Sequence, residues 1–384
     1  MIVTNDIKYV GVNDHQIDLF EGQFPVPNGM AYNSYVILDE KIAVVDSVDV
    51  RFKDEWIENV KKVARRVDYL IIQHMEPDHS SSIVDFISAF PEAQIVASAK
   101  AFDMMKNFFQ RDLSKNAIIA TDKSTLSLGK HTLTFFTAPM VHWPEVIVSY
   151  DSYDKVLFSA DAFGKFGAND QKEDWLCEAR RYYFGIVGKY GIQVSNLLKK
   201  LQGLEINIIC SLHGPILNEN LGYYIGVYDK WSKYESEERG TLIAYTSVYG
   251  NTKKTALLLE KKLRECGCKA VNFDLARCDI FEAIEDAFKY DSIVFATTTY
   301  NNDVFPKMKE FINHLTERNF SNKKIGFIEN GSWAPTTIKT ITGMLKDCKN
   351  LSYYENKVKL ISSLSQENLK EIEALAMEIA KDQK

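Results

Sequence analysis

From Gly240 onward the chain repeats one rhythm, a short apolar run followed by an amphipathic stretch, and few folds accept it. Strands are predicted at 241–245, 269–273, 291–296, 324–329 and 357–361. Helices are predicted at about 252–265, 279–288, 304–317, 335–346 and 365–380. A strand, a crossover helix and a parallel strand pack onto one sheet with a fixed hand, so this run closes into a doubly wound α/β domain. The charged segment K-Y-E-S-E-E-R-G ends at Gly240, directly before the strand T-L-I-A-Y. That break predicts one domain over 1–238 and the doubly wound domain over 240–384.

The first part is also α/β, but less regular. Strands are predicted at Tyr32–Leu38, Ile42–Asp46, Tyr69–Gln73, Gln94–Ala97, Leu133–Ala138, Val146–Tyr150, Val156–Ala160 and Ile206–Ser211. Helices are predicted at Phe52–Ala64, His79–Ala89, Ala101–Phe109, Asp174–Lys200 and Glu219–Tyr234. Successive strands near 131–160 have no helix between them, which implies hairpins and a mixed sheet. Composition narrows the class further. Apolar residues make up 46% and charged residues 26%, the balance of a globular protein. A net charge of −6 does not favour nucleic acid, whose phosphates require a basic surface. The N-terminus has no basic stretch followed by an apolar run, and no apolar segment approaches the roughly 20 residues of a membrane helix. A cytoplasmic chain with no membrane contact is therefore expected. The six cysteines lack a framework spacing, Cys266 and Cys268 forming only C-x-C, and are read as reduced thiols.

Seven histidines in 384 residues make their positions informative. H-M-E-P-D-H places His74, Glu76, Asp78 and His79 directly after the apolar run Y-L-I-I-Q. His142 follows L-T-F-F-T-A-P, Asp161 ends V-L-F-S-A-D, and His213 ends I-N-I-I-C-S-L-H. Each lies where a buried strand emerges into a loop, the place α/β folds put their chemistry. Seven oxygen and nitrogen donors exceed what one tetrahedral zinc takes. They suit two metals with one bridging carboxylate, and without thiolate they admit iron, manganese or zinc. His15, His131 and His314 sit beside turns or polar faces and are read as structural.

In the second domain, T-S-V-Y-G-N-T (Thr246, Ser247, Val248, Tyr249, Gly250, Asn251, Thr252) links the first strand to a helix. Hydroxyls and successive backbone N–H groups at a helix N-terminus suit one phosphate. The loop has neither G-x-x-x-x-G-K-[ST] nor G-x-G-x-x-G, which disfavours ATP and dinucleotides. Taken alone, it would also serve as a simple helix cap. Two further strand-end loops point to a ligand: Thr299, Tyr300, Asn301 and Asn302 after the third strand, and Asn330, Gly331, Ser332 and Trp333 after the fourth. Tyr300 and Trp333 are placed to flank an isoalloxazine ring at the topological switch point.

His74-x-Glu76-x-Asp78-His79 with His142, Asp161 and His213 resembles the metallo-β-lactamase-like fold and, more specifically, the flavodiiron proteins (A-type flavoproteins). Hydrolytic branches of that fold usually read H-x-H-x-D-H, and Glu76 at the third position marks the flavodiiron branch. The resemblance spans nearly the whole chain. It implies an αββα sandwich followed by a doubly wound flavodoxin-like domain, two iron ions per chain, and FMN. By the resemblance His74, Glu76 and His142 bind one iron, Asp78, His79 and His213 face the other, and Asp161 bridges. His79 is the position that some members leave uncoordinated. Glu21 matches a place near the open face of the metal pair, though burial or a surface salt link accounts for it equally. Tyr182 and Tyr183 match a region that supplies a hydroxyl near substrate, Tyr183 being the residue assigned that role.

The implied activity is reduction of dioxygen to water, of nitric oxide to nitrous oxide, or both. Electrons would come from rubredoxin or a similar donor, separate because no paired C-x-x-C is present. The resemblance and the short linker also imply a homodimer, or a dimer of dimers, in which each flavin faces the partner's metals. Two rival readings remain: a dinuclear metal hydrolase with a flavodoxin-like accessory domain, and an electron-transfer flavoprotein.

Overall fold

A computed structural model describes residues 3–172 and 174–383. Met1, Ile2, Glu173 and Lys384, which the expected domain ranges include, lie outside the described residues. The chain separates into two compact units, Met1–Ser232 and Lys233–Lys384. The division precedes 238–240 because the charged segment packs within the second unit. Glu237 N donates to Lys289 O at 2.9 Å, Lys323 Nζ donates to Ser236 Oγ at 2.8 Å, and the first strand of the second unit already begins at Glu238.

The first unit contains two main sheets. One has six strands in the order Ile7–Tyr9, Tyr35–Ile37, Ala43–Val45, Tyr69–Ile72, Gln94–Ala97, Ala117–Ile119. Its first three strands are antiparallel, and from Ala43–Val45 onward neighbours run parallel. The other has five strands, Thr125–Ser127, Thr132–Thr137, Ile147–Asp151, Val156–Phe158 and Ile208–Cys210, antiparallel until the last parallel pair. One apolar core joins them: Val45, Ile71 and Val96 from the first sheet meet Leu133, Phe135 and Phe158 from the second. Helices with a single apolar stripe, such as Trp56, Ile57 and Val60, complete the αββα sandwich of a metallo-β-lactamase-like domain.

Three expected elements are interrupted. The strand expected over Tyr32–Leu38 breaks at Asn33 and Ser34, both buried, where the Asn33 backbone N–H donates to Leu212 O at 2.8 Å instead of to a strand neighbour, and its Nδ2 adds bonds to Ser211 O and Gly214 O at 2.9 and 2.8 Å. The helix expected over His79–Ala89 is two pieces, Pro77–Ser80 and Ile83–Ala89. The long helix expected over Asp174–Lys200 stops at Tyr182, widens over Tyr183–Val187, and resumes at Gly191–Leu201. Gly185 is part of the cause: a Cβ there would lie 2.7 Å from the Phe24 ring, so the backbone approaches closer than a side chain allows. The short N-terminal strands, two or three residues each, are too brief to show a period and escape a reading of the sequence.

The second unit is a parallel sheet in the order Ala270–Asp274, Glu238–Tyr245, Tyr290–Tyr300, Lys324–Asn330, with Ser352–Tyr353 and Val358–Leu360 sharing the edge beyond. That is the 2-1-3-4-5 order of flavodoxin-like folds. Near-continuous apolar strands (Ile243, Val294, Ile328) pack against helix residues Leu259 and Leu375. The fifth strand is split in two, so the single run expected at 357–361 shortens to Val358–Leu360.

Candidate metal and nucleotide sites

The strand Tyr69–Ile72 ends just before His74, Thr132–Thr137 leads to His142, Val156–Phe158 to Asp161, and Ile208–Cys210 to His213. All four strand ends meet at one edge of the sandwich. His74 Nε2 lies 3.3 Å from Glu76 Oε2 and 3.2 Å from Asp161 Oδ2, and His142 Nε2 lies 3.0 and 3.1 Å from the same oxygens. A second group sits on the other side of Asp161. His79 Nε2 and His213 Nε2 are 3.0 Å apart, each 3.3 Å from Asp78 Oδ2. Asp161 Oδ1 is 3.4 and 3.7 Å from those two nitrogens. One carboxylate therefore presents one oxygen to each group.

The chemistry of this donor set fits two metal ions. Two nitrogens about 2.1 Å from one metal, at right angles, lie roughly 3.0 Å apart. Both oxygens of Asp78 and of Asp161 are buried without a hydrogen-bond partner, an arrangement that is costly unless a cation compensates it. On two of the four histidines the other ring nitrogen is held so that Nε2 turns inward. His74 Nδ1 pairs with Glu145 Oε1 at 2.8 Å, and Met75 N donates to the same oxygen at 2.8 Å. His213 Nδ1 donates to Ala31 O at 2.7 Å. Spending Nδ1–H in this way leaves Nε2 free to ligate. Electrostatics follow the same geometry. Burial would raise the Asp161 carboxyl, but His74, His142 and His79 hold it well below the usual range. Burial would lower His142, yet Asp161 and Glu76 raise it to about 9.

A buried network fixes the backbone that enters this site. Gln73 N and Nε2 donate to the two oxygens of Asp46 at 2.7 and 3.0 Å, and Ser149 Oγ donates to Gln73 Oε1 at 2.7 Å. The residue before His74 is thereby tied to both sheets. Aromatic rings close the surroundings: Trp143 lies 5.2 Å from His74, and Phe20 5.4 Å from His213. Glu21 stands beside Glu76 with its side chain exposed; the crowding of its carboxyl by the protein and the neighbouring Glu76 charge both push it upward. Of the two expected tyrosines, Tyr182 has its ring 5.5 Å from His213. Tyr183 instead packs its ring on Tyr228 and Trp231, at 5.1 and 5.2 Å.

In the second unit a cavity of about 470 Å³ opens at the strand ends. That is within the roughly 300–1,000 Å³ typical of small-ligand sites. Ser247, Val248, Tyr249, Asn251, Thr252, Thr299, Tyr300, Asn301, Asn302, Asn330, Gly331, Ser332 and Trp333 line it, together with Thr298 and Ala334 of the same loops and the unanticipated Ser362. Thr246 does not: its hydroxyl is buried against Thr297 Oγ1 at 2.6 Å. Gly250 also stands outside the lining and caps the helix Asn251–Glu265 with φ +91°, its N–H donating to Ser247 Oγ. Trp333 is 89% exposed and Tyr249 93%, and Tyr300 is partly open too, large rings left beside a cavity that suits a flat aromatic ligand.

Residues 30–214 match the family described as ODP family beta lactamase, and residues 242–371 match the flavodoxin domain family. The structure is similar to that of the flavodiiron protein from Giardia intestinalis, with a TM-score of 0.93 and 27% identity over 99% of this chain and 96% of that one. The nitric oxide reductase of Moorella thermoacetica (strain ATCC 39073 / JCM 9320) is 31% identical over 333 residues, 84% of this chain and 83% of that protein. The chain belongs to the flavodiiron family. The anaerobic nitric oxide reductase flavorubredoxin of Escherichia coli O1:K1 / APEC is 27% identical to this flavodiiron protein over 362 residues, 90% of this chain and 75% of that one. The rubredoxin oxygen:oxidoreductase of Desulfovibrio gigas shares its fold, with a TM-score of 0.91 at 24% identity over 100% and 98% of the two chains. As a member of the family the chain is an oxidoreductase whose cofactors are FMN and a diiron centre.

Sequence reasoning missed Glu145, Asp46 and the Ala31 carbonyl. Asp46 ends a predicted strand just as Asp161 does, and Glu145 follows His142 by three residues, so both carried a faint signal. The carbonyl carried none. Replacing Glu145 by Ala should weaken metal affinity about 10–100-fold, since His74 loses its orienting partner. Metal analysis against unchanged FMN content checks this, and full metal occupancy at limiting iron would refute it. The double change Asn251→Ala and Thr252→Ala should weaken FMN with iron content unaltered. Equal flavin affinity by fluorescence titration would move the nucleotide elsewhere.

Proposed function

We propose that this chain reduces dioxygen to water, nitric oxide to nitrous oxide, or both, with electrons from an external donor such as rubredoxin. The observation that carries the reading is Asp161, one carboxylate with an oxygen toward each of two ligand groups. In this reading His74, Glu76 and His142 hold one iron, Asp78, His79 and His213 the other, and Asp161 bridges. When bound, the iron pair and FMN supply the electrons: four, with four protons, per dioxygen, or two, with two protons, per pair of nitric oxide molecules.

The chain's own residues do the remaining work. Glu145 and the Ala31 carbonyl orient two of the imidazoles. Phe20, Trp143 and Tyr182 line the histidines with rings and limit water. Glu21 stands beside Glu76 with its side chain exposed to solvent, a carboxyl placed at the open face of the pair. Asn251, Thr252 and Ser247 cradle the FMN phosphate at the N-terminus of the helix Asn251–Glu265, and Tyr300 and Trp333 flank its ring. Among the described residues no helix is long and apolar enough to cross a membrane. A cytoplasmic location and a head-to-tail homodimer, with each flavin serving the partner's irons, complete the proposal.

Anaerobic assay of the reduced, iron-loaded protein with each gas tests it. Asp161→Ala should lose iron and abolish reduction of both gases while FMN stays bound. Two irons with full turnover in that variant would refute the bridging assignment. Zinc in place of iron, with no gas reduction, would favour the hydrolase. For the assembly, an Asp161→Ala chain mixed and refolded with the Asn251→Ala/Thr252→Ala chain should regain activity. No recovery in demonstrably mixed dimers, or a fully active monomer by light scattering, would exclude delivery between subunits.

A further inference from the structure

His131 immediately precedes the strand Thr132–Thr137, whose other end leads to His142. It therefore lies at the end of the sandwich away from the diiron ligands. Its side chain is fully buried, yet Nε2 has no hydrogen-bond partner. Nδ1 does: it lies 3.0 Å from Oδ2 of Asp151, itself fully buried. This is the carboxylate–histidine arrangement seen at Glu145 and His74, and it leaves the Nε2 lone pair facing outward from the pair. One further carboxylate faces that nitrogen and a second stands close by. Asp6 Oδ2 is 3.5 Å away, and the ligand atoms of Asp6, His131 and Asp154 all lie within 4.8 Å of one another. Asp154 is held in place by its backbone N–H, which donates to Asp151 Oδ2 at 2.8 Å, and by the Thr4 hydroxyl, which donates to its carboxylate.

We propose that Asp6, His131 and Asp154 form a third metal site, for a divalent transition-metal ion of the zinc class, separate from the diiron centre. One imidazole and two carboxylates supply three of four tetrahedral positions, water taking the last. The buried imidazole selects against calcium and magnesium, which take oxygen ligands. The carboxylates must close on the ion by an ångström or more, and both are only partly buried. The competing cation is Lys130, whose Nζ pairs with Asp6 Oδ2 at 2.6 Å but whose side chain is 42% exposed and free to swing aside. Occupancy would staple the segment before the edge strand Ile7–Tyr9 of one sheet to the turn after Ile147–Asp151 of the other. It adds to stability rather than to gas chemistry, and does not rest on the proposed function.

Zinc chloride added to the full iron- and FMN-loaded chain tests the site by metal analysis after gel filtration and by thermal unfolding. One zinc per chain beyond the two irons, with a Tm raised by several degrees, is expected. Asp6→Asn and Asp154→Asn should each weaken zinc about tenfold or more, by analogy with lost metal-site partners. Lys130→Ala, an exposed change that leaves the fold intact, should bind zinc more tightly because the competitor is gone. A merely structural ion-pair cluster would gain nothing from that change. No third equivalent, the same Tm shift with calcium, undiminished binding in both Asn variants, or weaker binding in Lys130→Ala would each overturn the proposal.

Discussion

The Asp161 carboxylate is the constraint on which the first domain depends. It is fully buried, both oxygens lack hydrogen bonds, and four imidazoles and two other carboxylates stand around it. A charge so placed is destabilising by several kcal/mol unless opposite charge reaches it. His74, His79 and His142 compensate in part, which is why these three gain protons more readily than a buried imidazole ordinarily would. Two metal ions held by these donors would supply the remaining positive charge. The site is thus a stored electrostatic tension, and iron binding and domain stability are linked through it.

Holding that tension requires a stiff frame. The ligands do not come from one helix or one loop but from the ends of four strands in two sheets, packed over a common apolar core. Strand ends alone set the backbone, not the ring orientation. That falls to groups one layer out: Glu145 on His74, the Ala31 carbonyl on His213, and the Asp46–Gln73–Ser149 chain that ties one sheet to the other. The break at Asn33 and Ser34 serves the same end. By leaving the strand ladder, Asn33 bonds the loop that carries His213.

The second domain solves a different problem with ordinary flavodoxin-like parts. Its sheet buries apolar strands from both faces, so polar chemistry is displaced to the strand ends, where the cavity forms. Exposed Tyr249 and Trp333 would be a liability on a bare surface; beside that cavity they are binding surface.

The sequence by itself determined the fold class and the chemistry at strand ends. The β-α-β rhythm after Gly240 and the residue types at 74–79, 142, 161 and 213 are local signals, and local periodicity and composition survive without tertiary knowledge. The exposed loops of the nucleotide cavity were legible for the same reason, save Thr246 and Gly250, whose neighbours in the chain line the cavity while they do not. Tertiary structure alone decided the rest. That Asp161 splits its oxygens between two groups, that Tyr182 rather than Tyr183 lies against His213, and that Ala31 supplies a carbonyl to an imidazole far along the chain depend on how two sheets meet. The break of the long helix after Tyr182 is decided there too, because Gly185 must pass close to Phe24, a contact no reading of helical period contains.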